Sequence, residues 1–282
     1  MSELRIRPMQ AGDLPAGLAL TQAVGWSHRL ADWQLAFSLG KGWVAGDSSG
    51  RVVGTIIVWN WSERAATLGF VIVDPALQGK GLGRRLMDKA LQYTGGRAVQ
   101  LAATDAGLKL YRDCGFAARG SIEQWQAADL SVKTPPPLPN LQLRTGQAED
   151  LGLLVELDAD AFGAKRPALI ESVLASGNAV IAVQDGRPRG FAMRRPSGRG
   201  LVIGPLVAVD QDMAIVLAAE QMRGVNGLVR IDVPGDADQL RRWLATAGLG
   251  CVDRVTIMVR GAWPPMAQRG MRRLALAAQA LG

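Results

Sequence analysis

Three glycines at alternate positions, Gly79, Gly81 and Gly83, stand between an apolar run, Phe70-Val71-Ile72-Val73, and a stretch with helical periodicity. Glycine has no Cβ, so the backbone of such a turn can close around a bulky anion. The helix start beyond it offers unpaired N–H groups and the positive end of its dipole. The chemistry of that arrangement is the binding of a pyrophosphate. Lys80, Arg84 and Arg85 add positive charge beside it. A P-loop needs Ser or Thr directly after its Gly-Lys pair, and a dinucleotide fingerprint needs its third glycine one residue later, so neither nucleotide pattern fits. Other chemistries lack their residues. One histidine, His28, and two cysteines, Cys114 and Cys251, are too few for a zinc site, a disulfide framework or a Cys-His nucleophile. No metal is expected.

Read from Gln78, the turn has the pattern Gln-x-x-Gly-x-Gly, which resembles the coenzyme A signature of the GNAT (GCN5-related) acetyltransferases. The segment Leu110-Tyr111-Arg112-Asp113-Cys114-Gly115-Phe116 is similar to a second motif of that family, and Tyr111 is one of only two tyrosines in the chain. The resemblance implies acetyl-CoA as cosubstrate, held by Gln78, Gly79, Lys80, Gly81, Leu82, Gly83 and Arg84. Thr104 stands where the family often has a coenzyme-contacting Asn. Tyr111 is implied as the acid that meets the departing thiolate; a phenol of pKa about 10 can donate a hydrogen bond to a thiolate of pKa about 8.5. The strand before the turn is implied to splay from its neighbour, leaving a backbone N–H among Val71, Ile72 and Val73 to bond the acetyl carbonyl. Many members place a carboxylate base on that strand. Residues 67–73 hold none, which leaves Glu63, Asp105 or a water chain. Trp26, His28 and Trp33 fall in the region that covers the acceptor in the family.

The elements that must position these residues read as mixed α/β, or α+β. In the first half, strands are expected at 4–8, 43–45, 52–59, 66–73 and 99–103, and helices at 13–24, 31–39, 82–93 and 108–114. The run Lys133-Thr-Pro-Pro-Pro-Leu-Pro-Asn140 is an extended linker, since four prolines remove backbone donors and fix φ. Beyond it the opening Leu4-Arg5-Ile6-Arg7-Pro8-Met9-Gln10-Ala11-Gly12-Asp13-Leu14 returns as Leu141-Gln142-Leu143-Arg144-Thr145-Gly146-Gln147-Ala148-Glu149-Asp150-Leu151. Two copies of one fold follow. The expected division is 1–132 for the acetyltransferase domain, 133–140 for the linker and 141–282 for a degenerate second domain, each a twisted, mostly antiparallel sheet flanked by helices. In the second half, strands are expected at 180–184, 189–194, 201–208, 229–233 and 254–259, and helices at 213–222 and 238–246. It lacks the glycine turn. Asp210 and Asp212 stand where a phosphate would sit, which is unfavourable for a coenzyme. The whole resembles tandem bacterial GNAT proteins.

Composition narrows the rest. The chain has 282 residues, 48% hydrophobic, and apolar runs far shorter than the roughly 20 residues of a membrane span. A cytoplasmic protein is expected, monomeric or homodimeric, with no membrane partner. Of the net charge of +7, five charges lie beyond the last acidic residue, Asp253: Arg254, Arg260, Arg269, Arg272 and Arg273. No run of the chain interleaves basic and aromatic residues as a strand-binding surface would, so nucleic acid is not expected and the run reads as a solvated basic helix face. The functional expectation is transfer of an acetyl group from acetyl-CoA to a primary amine of a small molecule. The alternatives are a non-catalytic acyl-CoA sensor or scaffold and an enzyme acting on a protein or peptide amine.

Overall fold

The computed structural model describes residues 4–265 and 270–282. The first half runs β1 (Arg5–Pro8), α1 (Leu14–Ala23), α2 (Leu30–Leu39), β2 (Lys41–Gly46), β3 (Val52–Asn60), β4 (Ala65–Val73), α3 (Leu82–Thr94), β5 (Ala98–Ala103), α4 (Leu108–Asp113) and β6 (Ala117–Ala127). The second runs β7 (Leu141–Gly146), α5 (Leu151–Phe162), α6 (Pro167–Ser176), β8 (Asn178–Gln184), β9 (Arg187–Ser197), β10 (Gly200–Ala208), α7 (Gln211–Met222), β11 (Val229–Pro234), α8 (Asp238–Thr246) and β12 (Gly250–Arg260). A short strand, β13 (Arg272–Ala275), follows. The sequence repeat is therefore a repeat of elements, the same ten in the same order. Its opening builds the same clasp twice: Arg7 donates two hydrogen bonds of 2.7 Å to Asp13, and Arg144 two of 2.7 Å to Asp150. Each aspartate also accepts a backbone N–H, from Gln10 and Gln147 respectively, and so fixes the turn into its first helix.

The strands form one sheet in the order β1-β2-β3-β4-β5-β12-β6-β11-β10-β9-β8-β7, with β13 on β10. All pairings are antiparallel except β4 with β5 and β10 with β11, where α3 and α7 are the crossovers that a parallel pair requires. The halves exchange strands at the centre. β12, from the second half, lies between β5 and β6 of the first, while β6 pairs on its other edge with β11. The apolar cores are continuous too: one cluster runs from Trp33, Trp59 and Phe70 to Leu154, Phe191 and Met271. Residues 130–138 contain no helix or strand, and Leu130, Val132 and Leu138 pack against the second half.

Two expectations need correction. β6 is absent from the sequence reading because its burial and polarity follow no clean alternation; β12 and β11 on its two edges, not its own pattern, make it a strand. The basic run is no solvated helix face. Arg254 and Arg260 belong to β12, and Arg254 pairs with the buried Glu123 of β6. Arg272 and Arg273 belong to β13, with the Arg273 guanidinium 5.3 Å from the centre of the Phe162 ring. Arg269 lies outside the described residues.

Candidate active site

A cleft of about 1190 Å³ opens between the two halves. It exceeds the roughly 300–1,000 Å³ usual for one small ligand, which leaves room for a coenzyme arm and an acceptor together. Its first wall is the glycine turn. Gly79 and Gly81 adopt φ of +73° and +79°, left-handed values that a side chain strains, and a Cβ at either would point into open space. Gly83 serves contact instead: a Cβ there would lie 3.2 Å from Leu110 of α4. Gly81 is the N-cap of α3 and supplies no side-chain cap, so the first N–H groups of the helix face the cleft unclaimed by any side chain. Burial of Leu82, Leu86, Met87 and Ala90 fixes the helix axis behind them. Gln78 braces the turn through a 3.1 Å hydrogen bond to Val73 O, and Arg84 lines the cleft while bonding Asp88 and Asp113 O.

β4 forms the second wall. It pairs with β5 only over Ala65–Thr67, after which the two strands diverge. Its register with β3 breaks between Thr55 and Ile57, leaving Phe70 and Val71 out of step. Phe70 sits at φ +52°, an uncommon state for an aromatic residue and one that persists only where the surroundings enforce it. Thr55, fully buried, donates a 2.8 Å hydrogen bond to Phe70 O, and the Phe70 ring packs edge-on to Trp33 at 4.6 Å and near His28 at 5.0 Å. Val71, Ile72 and Val73 line the cleft from this bulge.

Tyr111, on α4, lines the cleft with Thr104. A Cβ at Gly107 would come within 2.6 Å of the Tyr111 ring, so that glycine is what lets the ring lie flat against the chain. Burial, and then the neighbouring Cys114 thiol, push the Tyr111 hydroxyl above its ordinary pKa, so it is a proton donor at any physiological pH.

The far end belongs to both halves. Trp26 and His28 come from the α1–α2 loop; Arg195, Gly198 and Arg199 come from β9 and the hairpin after it. Asp32 ties these parts together, accepting N–H groups from Arg29 at 2.8 Å and from Gly198 at 2.9 Å. His28 is held neutral: burial lowers its pKa to about 4, the Arg230 and Arg195 charges push the same way, and Asp32 opposes them. Its Nδ1 is buried without a hydrogen-bond partner.

The cleft thus gathers Gln78, Gly79, Gly81, Leu82, Gly83, Arg84, Val71, Ile72, Val73, Thr104, Tyr111, Trp26 and His28. It leaves out two expected members. Lys80 folds its ammonium back onto Ala76 O at 2.9 Å, and Trp33 has no exposed surface, standing in the core behind Phe70 with Gly17 against its ring. Arg85 also points elsewhere, to Leu4 O, and neither Glu63 nor Asp105 reaches the cleft. Sequence reading missed Thr55, Phe70, Gln124, Gln126, Arg195, Arg199 and Arg230. The one available signal was polar side chains at alternate positions of strands, Gln124 and Gln126 or Arg230 and Asp232, where one face should be apolar. No group of three or more His, Cys, Asp or Glu side chains among the described residues is arranged to hold a metal.

Family models described as acetyltransferase (GNAT) domains match residues 38–118 and, separately, residues 154–271. The chain belongs to the GNAT family, in tandem form. An N-acetyltransferase of Bacillus subtilis, YitH, described as uncharacterized, is 29% identical over 269 residues, covering 94% of each chain. A Pyrococcus horikoshii protein described as an acetyltransferase superposes with a TM-score of 0.77 at 17% identity, over 99% of this chain and 96% of that one. A tandem GNAT protein from the clavulanic acid biosynthesis pathway gives 0.65 at 18% identity, over 94% and 100%. Acyl transfer is the general activity that this GNAT membership carries. In this GNAT protein the glycine turn lies in the first matched domain, and the far end of the cleft is completed by residues of the second.

Proposed function

We propose that the chain acetylates a primary amine of a small molecule from acetyl-CoA, by direct attack within a ternary complex. One observation carries the reading: a single cleft joins an uncapped helix start behind a glycine turn, a bulged strand divergent from its neighbour, and a protonated tyrosine. Acetyl-CoA supplies an activated acetyl thioester. The first N–H groups of α3 and Arg84 face its phosphates, with Gly79 and Gly81 giving access. A backbone N–H of the Val71–Val73 stretch bonds the carbonyl oxygen and stabilises the negative charge that grows there. Tyr111 donates to the departing sulfur. The amine approaches past Trp26 and His28, whose neutral imidazole accepts a proton directly or through water.

The test is thiol release from acetyl-CoA in the presence of an amine panel, with titration calorimetry for coenzyme affinity alone. Turnover with at least one small amine is expected. The lack of any carboxylate on β4 favours a second reading, an acyl-CoA sensor, and binding without turnover across the whole panel would select it.

A further inference from the structure

The acceptor end of the cleft has a composition that the coenzyme does not explain. Arg195 of β9 is opposite Val202 of β10, Val202 is opposite Arg230 of β11, and Arg230 is opposite Gln126 of β6. Residues opposed across strands share a face, and all four line the cleft. Strands lie about 4.8 Å apart, so the Cα atoms of Arg195 and Arg230 stand about 10 Å apart, a span that two guanidinium side chains can close onto one group. Arg199, at the tip of the β9–β10 hairpin, borders the same space.

The carboxylates there are already committed. Asp32 takes the Arg29 and Gly198 N–H groups and lies 3.7 Å from Arg195. Asp232, fully buried, is bound by Nε and Nη2 of Arg230. Asp253 accepts the N–H of Arg254. What remains unspent is donors. Arg195 is 4% exposed; its Nη1 and Nη2 donate to Pro196 O at 3.3 Å and Ala277 O at 3.2 Å, yet its Nε is buried with no partner. The side chains of Arg199 and Gln126 make no hydrogen bond or ion pair among the described residues. A buried guanidinium N–H left unpaired is costly, and an anionic ligand is the group that satisfies it. The depressed basicity of His28, to which Arg230 and Arg195 both contribute, reports the same positive field.

We infer that the acceptor is an amine whose skeleton carries an anionic group, a carboxylate or a phosphate, seated on Arg195, Arg199 and Arg230 while the amine faces Phe70 and His28. This deepens the acetyl-transfer reading and rests on it. The experiment is thiol release by the full chain with matched acceptors: amino acids against their carboxamides, and aminoalkyl phosphates against the corresponding amino alcohols. The anionic member of a pair should be favoured by about 100-fold in kcat/KM, because a site built around unpaired donors rejects an analogue that leaves them unpaired. The pair with the larger ratio identifies the anion. Arg199→Ala, at an exposed position, should collapse that ratio at least tenfold, mainly through KM, with Arg199→Lys restoring part of it and an unchanged melting temperature showing the fold intact. Arg195→Gln should do the same or more. Neutral amines acetylated as well as their anionic partners would overturn the inference and leave acetyl transfer standing, as would a ratio that survives Arg199→Ala. Acetyl-CoA binding with no panel member acetylated would remove acetyl transfer, and this inference with it.

Discussion

The two halves place a helix start, a bulge and a strand gap at corresponding positions, and treat each one oppositely. In the first half α3 begins at Gly81 with no side-chain cap, whereas α7 begins at Asp210, whose carboxylate accepts the Met213 N–H at 2.8 Å. A negative charge already occupies the place where an anion would bind. β4 bulges at Phe70 and Val71, which have N–H groups to offer; β10 breaks register across Gly204 and Pro205, and proline has none. β4 and β5 diverge around open space, while β13 pairs with β10 over the equivalent stretch, and Leu276 just beyond it bonds Asp232 O of β11. One fold therefore opens a cleft at these positions or closes it by three independent local changes. The closed copy still contributes to the cleft, since its strands β9 to β11 line the far end.

The largest expected effect comes from giving the first half the charge of the second. Gly81→Asp should weaken coenzyme A binding by 100-fold or more in calorimetry, about 3 kcal/mol, by combining a left-handed strain with a carboxylate at the helix start. Binding within a few-fold of the parent would break the comparison. A second contrast concerns the loops after α1 and α5. The latter carries Arg166, locked to the buried Asp158 at 2.6 Å, whereas the former carries the neutral His28. Unfolded, His28 takes a proton near its ordinary pKa of 6.5; folded, it does so only near 4. Stability is therefore lost as the pH falls from about 6.5 to about 4, by about 3 kcal/mol, and urea melts of His28→Asn should show a flatter profile over that interval.

Tyr111→Phe should lower kcat about 100-fold with coenzyme affinity retained, measured by steady-state kinetics beside calorimetry. Unaltered turnover would take Tyr111 out of the mechanism. Thr55→Val, nearly isosteric, strips the donor from Phe70 O; about 1–3 kcal/mol of stability and roughly tenfold in kcat should go with it, and a loss of stability alone would make Thr55 a packing residue only. The smallest effect is expected from Asp210→Ala. Loss of the α7 cap should cost about 1 kcal/mol in denaturant melts, and coenzyme stoichiometry should remain one per chain, since β13 and Pro205 still close that copy.

Much of this was legible in the sequence, though unevenly. The glycine turn, Tyr111 and the repeated opening could be read because each is a local arrangement: left-handed glycines, a helix start and an Arg-Asp clasp all lie within a few residues of one another. Trp33 falls in the region expected to cover the acceptor but stands in the core, and nothing near it in sequence reveals that Phe70 and Gly17 enclose its ring. Lys80 was misplaced for a similar reason, its flexible stem finding Ala76 O in its own turn. β6 escaped because its partners come from residues more than a hundred positions away.

By itself the sequence determined two copies of a mixed α/β fold, and which copy keeps the glycine turn and an uncapped helix start, since backbone freedom and a capping carboxylate are properties of short segments. Tertiary structure alone decided that β12 crosses into the first half, that β13 fills the second gap, and that Arg195, Arg230 and Gln126 meet in one row facing the cleft. Such rows follow from the register of strands far apart in the chain, where each pairing is selected by the burial of a whole face.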